Sequence, residues 1–381
     1  MAISHLAIVA ATPVWGTSAE YPKRIEISTY THAISADGGY MSCSFSVGGG
    51  REDAEDWIFA YLGNDIKVYN ESNVLIWRGF VNSISVSLGT LSLTRGPMID
   101  VGNKVSIAYQ TPSYTIDGVT IGGNQQVTAA VNDLESQERY GIRRKILSGG
   151  TASTTEAGQI LNTYLSESKE PPLNNTVAIG GQSGNVSIQV DCLGYVELLD
   201  YIPQSIAANG TMDLSSKIAV VMGLDPDNIF STDYSKISSN TTQVSQYWEG
   251  DKTALETIRS LVSVGDSNYS RYIWGIYDNL QMRYEAIPTA YEYIHRLSSR
   301  DQGVEDLNGN TVLPWNVLPG KFMLVSDFLV GRAIPDSDFR VDPRMMFIES
   351  VQYTAPWDVS LSGGKTGTLN QKLERLNLRE M

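Results

Sequence analysis

The segment that decides the fold is IEISTYTHAIS at residues 25–35, followed by DGG at 37–39 and YMSCSFSV at 40–47. Apolar and polar residues alternate in both runs, which is the period of half-buried strands, and Asp-Gly-Gly suits a tight reversal. REDAEDWIFAYL at residues 51–62 has apolar residues on one helical face and acidic residues in its first turn. Further strand-like runs cover residues 65–69, 74–87, 90–94 and 104–109. We therefore predict one helix packed on or plugging a small, strongly bent antiparallel sheet.

Three parts of this stretch also resemble a known family: residues 32–47, WIFAYLG at 57–63 and IWRGFVN at 76–82. They are similar to the opening domain of phage tail-tip proteins, which include the baseplate hub of contractile tails and the hub or distal proteins of flexible tails. The helix-then-hairpin unit at 254–288 looks like the same family, in which a second barrel commonly mirrors the first. The resemblance implies a structural protein with no catalytic residue, no cofactor and no metal site.

The same resemblance implies a place and a set of partners. A hub of this kind is typically a homotrimer at the tip of the virion tail, synthesised in the host cytoplasm. Its partners would be the tail tube, distal tail, tape-measure and tip or fibre proteins, and DNA would pass through without specific binding.

Composition limits the function further. The 381 residues are 42% hydrophobic and 18% charged, which suits two or three folded domains. The net charge of −14 disfavours binding to a phosphate backbone. An acidic channel wall would repel DNA and prevent it from sticking, although the same charge also simply keeps a particle soluble. Because no apolar run reaches roughly 20 residues, we expect no membrane insertion by this chain.

We predict a mainly β fold with α+β parts: two tail-tube-like β-barrel domains, each with a packed helix, plus small accessory α/β elements. The predicted parts are an N-terminal arm (1–21), a first barrel domain (22–170), a connecting α/β region (171–250), a second β-rich domain (251–362) and a C-terminal tail (363–381) after a glycine hinge. The arm contains one short predicted strand at 6–11, and residues 110–128 are predicted to form a long hairpin or projecting loop. Both are predicted inter-subunit contacts because both are loop-like and neither can bury itself. Deleting 1–21 would then leave a folded monomer but stop assembly.

Local signals place other elements. Ser153–Glu156 and Thr253–Glu256 are capping boxes that open helices. Further helices are predicted at 193–202 and 213–222, and a hairpin at 272–285. Residues 136–147 are predicted to form a strand with four basic residues around it: Arg139, Arg143, Arg144 and Lys145. These either guard a solvated edge strand or form a patch for an acidic neighbour.

Catalytic patterns are weak. The three histidines, His5, His32 and His295, have no metal spacing, and no Gly-x-Ser-x-Gly elbow is present. GKT at 364–366 ends like a phosphate loop, but Val359 stands where that motif needs glycine. A glycosidase needs two paired carboxylates. The candidate carboxylates either lie early in a predicted helix, where the helix dipole explains them, or lie in loops, where they are solvated. They are Asp53, Glu55, Asp56, Asp336 and Asp338.

Two further groups have both a structural and a functional interpretation. Asp225 and Asp227, and likewise Asp336 and Asp338, could hold calcium but are predicted to be turn residues. Cys43 and Cys192 are predicted buried free thiols. Packing predicts that the tryptophans Trp57, Trp77 and Trp274 are buried. A carbohydrate-binding tail module, the main alternative, would instead show an exposed aromatic row. A wall-degrading glycosidase is the lesser alternative, and we expect a non-enzymatic hub ring that joins the tail tube to the tip and lines the DNA channel.

Overall fold

The computed structural model describes residues 5–9, 23–117, 119–177, 186–204, 211–244, 252–268, 270–296, 303–326, 345–355 and 358–364. The helices within these ranges are α1 (Arg51–Ala60), α2 (Leu134–Tyr140), α3 (Thr154–Ser168), α4 (Leu214–Gly223) and α5 (Ala254–Ser263). Short 3₁₀ turns cover Met98–Asp100, Tyr195–Tyr201 and Pro314–Asn316.

The strands up to the middle of the chain are β1 (His5–Val9), β2 (Lys23–Ser35), β3 (Asp37–Val47), β4 (Asp65–Tyr69), β5 (Leu75–Leu88), β6 (Leu91–Arg95), β7 (Lys104–Gln110), β8 (Ser113–Ile116), β9 (Val119–Gly122), β10 (Gln125–Val127), β11 (Val131–Asn132), β12 (Arg144–Thr151), β13 (Leu173–Val177) and β14 (Val186–Gly194). The later strands are β15 (Pro203–Gln204), β16 (Met212–Asp213), β17 (Gln243–Val244), β18 (Lys252–Thr253), β19 (Tyr272–Ile276), β20 (Met282–Ala286), β21 (Tyr291–Arg296), β22 (Val304–Asp306), β23 (Thr311–Val312), β24 (Phe322–Ser326), β25 (Met345–Thr354) and β26 (Asp358–Gly364). The fold is mainly β, as predicted.

Six strands close into a ring of antiparallel pairs, which we call the six-strand barrel. Around the ring, β2 pairs with β3, β3 with β14, β14 with β5, β5 with β4, β4 with β1, and β1 with β2. Because the ring is closed, each of the six strands has a partner strand on both sides. Barrels avoid aggregation-prone open edges in this way. Side chains from the ring join one large core that includes Tyr30, Phe45, Val68 and Val190.

Helix α1 lies against this barrel, as the sequence predicts. Ala54, Trp57 and Ile58 are its buried residues, and the Trp57 ring stands edge-on to Phe45 of β3 with centroids 6.0 Å apart. The Asp53 carboxylate accepts a hydrogen bond from the backbone N–H of Gly50 at 2.9 Å, which satisfies a donor ahead of the first turn. Gly63 follows the helix with φ +82°, a conformation that glycine adopts without strain.

The capping boxes also form. Ser153 accepts from the N–H of Glu156 at 3.2 Å and opens α3, while Thr253 does the same for Glu256 at 3.3 Å and opens α5. These contacts involve residues three apart, so local sequence is enough to specify them.

The prediction that residues 1–21 form an arm unable to bury itself is wrong for His5–Val9. This segment is β1, which pairs with β2 on one side and β4 on the other and so completes the six-strand barrel. Without it, the facing edges of β2 and β4 would present unpaired N–H and C=O groups. The deletion of 1–21 should therefore not leave an intact folded monomer.

The predicted strand at 136–147 is also wrong in its first half. Residues up to Tyr140 belong to α2, and the strand begins only at Arg144. Asp133 accepts from the N–H of Ser136 at 3.0 Å as an N-cap, and Arg139 pairs with Glu135 one turn earlier at 2.8 Å. Gly141 then ends the helix with φ +73°. Capping and an i,i+4 ion pair outweigh the alternating pattern that suggested a strand.

A second, smaller sheet stands beside the barrel. β7 pairs with β10 and β11 on one side and, in parallel, with β12 on the other. Helix α3 covers it, and the two share a separate core whose buried members include Val105, Ile107, Leu161 and Leu165. The hairpin of β8 and β9 extends from this sheet between β7 and β10.

Two glycines allow close packing where three barrel strands meet. Gly194 of β14 is directly opposite Gly79 of β5. A Cβ at 194 would collide with the carbonyl oxygen of Tyr40, and a Cβ at 79 with that of Leu193. β14 lies beyond the predicted domain boundary near residue 170, so the six-strand barrel takes strands from both sides of that boundary. The domain limits given from the sequence stay predictions.

The second half of the chain continues the same large sheet. β19 adds to β3 in parallel at Trp274–Ile276, and β25 adds to β2 at Ser350–Thr354. From β25 the ladder continues through β24, β21, β22 and β23, with β26 on its other side. Among the described residues these strands form an open ladder, so the second predicted barrel stays a prediction. Gly363 and Gly364 belong to β26, and the predicted hinge there is wrong.

Arg271 connects the barrel to this second half. Its guanidinium lies 2.5 Å from Asp37 of β3 and 2.5 Å from Glu349 of β25, and its side chain is 12% exposed. Burial raises the pKa of Asp37 above its ordinary value, and the Arg271 charge opposes that rise. The contact therefore holds two carboxylates together across the joint.

We predict that Arg271→Met lowers the free energy of unfolding by about 2–3 kcal/mol at pH 7, because it leaves two partly buried carboxylates without their shared cation. Because the pKa of Asp37 is higher in the folded chain than in the unfolded chain, protonation of this carboxyl stabilises the fold. That stability is fully present below the pKa of the unfolded chain and is lost as the pH rises through the pKa of the folded chain. The loss caused by Arg271→Met should therefore be smaller at pH 4 than at pH 7. Urea unfolding at both pH values measures it.

Arg51→Met is the matched control, because Arg51 and Glu55 form an ion pair whose side chains are 79% and 50% exposed. Such a pair is worth at most about 0.5 kcal/mol. Equal losses for the two variants would contradict the role assigned to Arg271.

Candidate functional site

The carboxylates considered for glycoside hydrolysis are not assembled into a cleft within the described residues. Asp53, Glu55 and Asp56 lie early in α1, where Asp53 binds the Gly50 N–H and Glu55 pairs with Arg51. Asp336 and Asp338 fall outside the described residues. Asp53 and Glu55 therefore have structural roles in α1, as a capping residue and as one member of an i,i+4 ion pair.

Within the described residues, neither a histidine-based catalytic site nor a metal site is assembled. His32 is buried between the rings of Tyr30 and Tyr353, with centroids 5.4 and 5.3 Å away, and His295 Nδ1 lies 3.1 Å from the carbonyl oxygen of Gly303. No group of three or more metal-ligating side chains occurs among the described residues.

The predicted turn around Asp225 forms. The Asp225 carboxylate accepts from the backbone N–H groups of Asp227 and Phe230 at 3.1 and 3.0 Å. The Asp227 carboxylate is instead buried against two cations of the smaller sheet, with Lys104 at 2.5 Å and Arg144 at 3.3 Å. The two carboxylates thus tie this loop to itself and to the smaller sheet.

The basic residues at 139–145 do not form a patch. Arg143 is fully buried, with its guanidinium 4.6 Å from the centre of the Phe80 ring, and burial lowers its pKa. Lys145 lies 4.7 Å from the centre of the Tyr201 ring. With Arg144 bound to Asp227, these cations contact neighbouring elements, so the predicted patch for an acidic neighbour is wrong. The predicted edge position is correct, because β12 pairs only with β7 among the described strands, but Arg143 and Arg144 are not solvated guards of that edge. The alternating pattern alone could not show that neighbouring side chains cover these two cations.

The two cysteines face one another. Cys43 of β3 is directly opposite Cys192 of β14, and both are buried free thiols, as predicted. Burial raises the pKa of Cys192 well above its ordinary value, which disfavours the reactive thiolate. These residues act as core packing.

The described aromatic residues show no exposed row. Trp57, Trp77 and Trp274 are all buried, as packing predicts. The exposed aromatic side chains among the large apolar ones are Phe59 and Tyr114, which lie on different elements.

The hairpin of β8 and β9 has one strongly apolar face. Tyr114 pairs across the hairpin with Ile121, and Ile116 with Val119, so these four side chains share a face. Each is between 45% and 62% exposed. Ser113 and Thr115 point to the other face. A hairpin with one apolar face open to water is unusual for a two-stranded element, which is marginally stable alone. We call these four residues the hairpin face.

A groove of about 510 Å³ lies at the base of this hairpin. It runs beside β12, and none of its lining residues is charged: Ala108, Tyr109, Gln110, Gly123, Gln125, Ile146, Leu147, Ser148, Gly150 and Thr151. Within the described residues β12 pairs with β7 and with no other strand, so its outer edge has free backbone groups. The hairpin face and the groove together are the candidate functional site. The sequence predicted a long hairpin or projecting loop at 110–128, and the β8–β9 hairpin confirms this, but it did not predict the groove.

Charge is also sparse here. Asp117 is the one charged residue between 110 and 128, in a chain that carries 70 charged residues in total and a net charge of −14. The site is therefore suited to apolar and hydrogen-bonded contacts, and unsuited to binding a charged ligand.

No protein-family model matches the sequence, and no curated protein matches it. Among solved structures, a tail protein from Neisseria meningitidis MC58 aligns with a TM-score of 0.40 at 7% identity, over 97% of this chain and 98% of that chain. A 43 kDa tail protein of prophage MuSo2 from Shewanella oneidensis aligns with a TM-score of 0.40 at 9% identity, over 96% and 99%.

The described helices include none long and apolar enough to cross a lipid bilayer.

Proposed function

We propose that this chain is a structural protein of a phage tail tip, where it forms the hub ring that joins the tail tube to the distal tip. The observation that carries the proposal is the six-strand barrel. It is built largely from residues 25–88, the same stretch that resembles tail-tip proteins, and α1 packs against it in the expected order. Its mechanism is assembly, without catalysis and without a cofactor.

The barrel itself is too narrow to conduct DNA. Eight strands make a barrel whose interior side chains just fill, and six make a narrower one. Phe45, Val68 and Val190 are completely buried in its core. A DNA channel would therefore lie on the axis between copies of the chain, with acidic surface facing it and no specific contact to the polymer.

In the virion, the proposed partners are further copies of this chain in a trimer, the tail tube and distal proteins, the tape-measure protein, and tip or fibre proteins. Open outer edges such as that of β13, all of whose residues are exposed, are suited to such contacts.

We expect the purified full chain to form a discrete oligomer, with a trimer dominant at micromolar concentration and rings with a central opening in electron micrographs. Mass photometry and analytical ultracentrifugation across a concentration series measure the mass. A chain that stays monomeric at every concentration would refute the hub proposal.

Two controls separate this role from its alternatives. Binding of purified chain on a glycan array would favour a carbohydrate-binding adsorption module. Clearing of purified cell wall would favour a tail glycosidase. We expect neither.

A further inference from the structure

We propose that the hairpin face of one copy docks into the groove beside β12 of a second copy, and that this contact closes the ring. The inference rests on the proposed function and names the surfaces through which copies meet. The occupant of the groove is a second copy of this chain.

The hairpin face is built to be covered. Its four apolar side chains are about half exposed in the single chain, and removing them from water favours association. The polar face of the same hairpin, with Ser113 and Thr115, is suited to remain in water. An isolated two-stranded hairpin gains most of its stability from such a cover.

The groove offers a matching recess. Its 510 Å³ is of the size that encloses a small group of side chains rather than a whole domain. Ile146 and Leu147 provide apolar wall, while Gln110, Gln125 and Ser148 provide hydrogen-bonding groups. The outer edge of β12 allows an incoming strand to add its backbone hydrogen bonds, which is recognition by strand addition.

Charge favours a second copy over a different partner of opposite charge. Two chains of net charge −14 repel one another, so they can approach only where charge is low. The hairpin carries Asp117 as its one charged residue, at the turn, and the groove lining carries no charge. A basic partner would gain nothing from these two surfaces.

The contact joins unlike surfaces, so it can repeat from copy to copy around an axis. Each copy then contributes a hairpin to one neighbour and a groove to the other. A standard stable interface buries roughly 800 Å² per partner, so the hairpin is an anchor within a larger contact.

The first test compares Ile116→Asp with Thr115→Asp in the full chain. The two substitutions add the same charge on adjacent residues of β8, but on the apolar and polar faces respectively. We expect Ile116→Asp to weaken self-association at least tenfold by sedimentation, and Thr115→Asp to weaken it less than threefold. Both sites are exposed, so the melting temperature of the monomer should not change in either variant.

The second test uses Val119→Cys and Ser148→Cys, since the native Cys43 and Cys192 are buried. A short bifunctional maleimide is added to each variant alone and to their mixture. We expect cross-linked dimers from the mixture only. Cross-linking of Val119→Cys with itself would show that hairpins meet hairpins and would overturn the inference.

The outcomes also distinguish the two proposals. An oligomer that forms equally well with Ile116→Asp overturns the hairpin contact and leaves the hub role standing. A protein that is monomeric at every concentration overturns both.

Discussion

Removal of residues 1–9 is expected to unfold the six-strand barrel. β1 contributes five residue pairs with β2 and four with β4. At about 1 kcal/mol net per hydrogen bond, the loss is on the order of 5 kcal/mol or more, which is comparable with the whole stability of a typical domain. We expect a loss of cooperative thermal unfolding and a gain in aggregation through the exposed edges of β2 and β4, measured by calorimetry and light scattering.

Deletion of residues 1–4 is the matched control, because it stops before His5, the first residue of β1. That variant should melt within a few degrees of the full chain. A synthetic peptide of residues 1–9 should partly restore the longer deletion by adding back the missing strand. A chain lacking 1–9 that melts like the full protein would contradict the assignment of β1 to the barrel.

Gly194→Ala is expected to cost at least about 4 kcal/mol, which places it among the most damaging single substitutions. The backbone at Gly194 has φ −69° and ψ 157°, an extended conformation that alanine adopts easily. The cost is purely steric, since the added Cβ would collide with the backbone carbonyl of Tyr40, and a backbone oxygen in a sheet cannot move aside. Chemical unfolding of the purified variant measures the loss.

Gly158→Ala makes the same chemical change but is expected to raise the free energy of unfolding instead of lowering it. Gly158 lies inside α3, and a Cβ there meets no atom within 4 Å. Alanine should stabilise the helix by about 0.5–1 kcal/mol. If the two variants had similar stabilities, close packing at Gly194 would be refuted.

Short-range chemistry accounts for what the sequence predicted correctly. The caps at Ser153 and Thr253, the α1 helix and the alternation in β2 and β3 depend on neighbours within a few residues. The role of β1 could not be predicted, because its partners β2 and β4 are up to 63 residues away. The same holds for Arg143: a cation in an alternating run suggests a solvated edge, and only the fold shows Phe80 beneath it.

The candidate site was predicted only in outline. The glycine and threonine content of residues 110–128 predicted a long hairpin or projecting loop there. Which of its residues share a face depends on the pairing of Tyr114 with Ile121, and a shift by one residue would have sent the apolar side chains to opposite faces. The groove depends on β12 lying beside β7, a parallel pairing that local pattern does not reveal.

The β2–β3 hairpin belongs to two structures at once. Strand β2 pairs with β1 of the barrel at 23–27 and with β25 of the second half at 31–35. Strand β3 pairs with β19 of the second half at 37–39 and with β14 of the barrel from 42 onward. A tensile load applied to the second half would reach the barrel through rows of backbone hydrogen bonds. These bonds would be loaded together in shear, rather than broken one at a time. In the proposed tail-tip role, where the chain would transmit the force of adsorption, such a hairpin would act as a stiff connection instead of a flexible one.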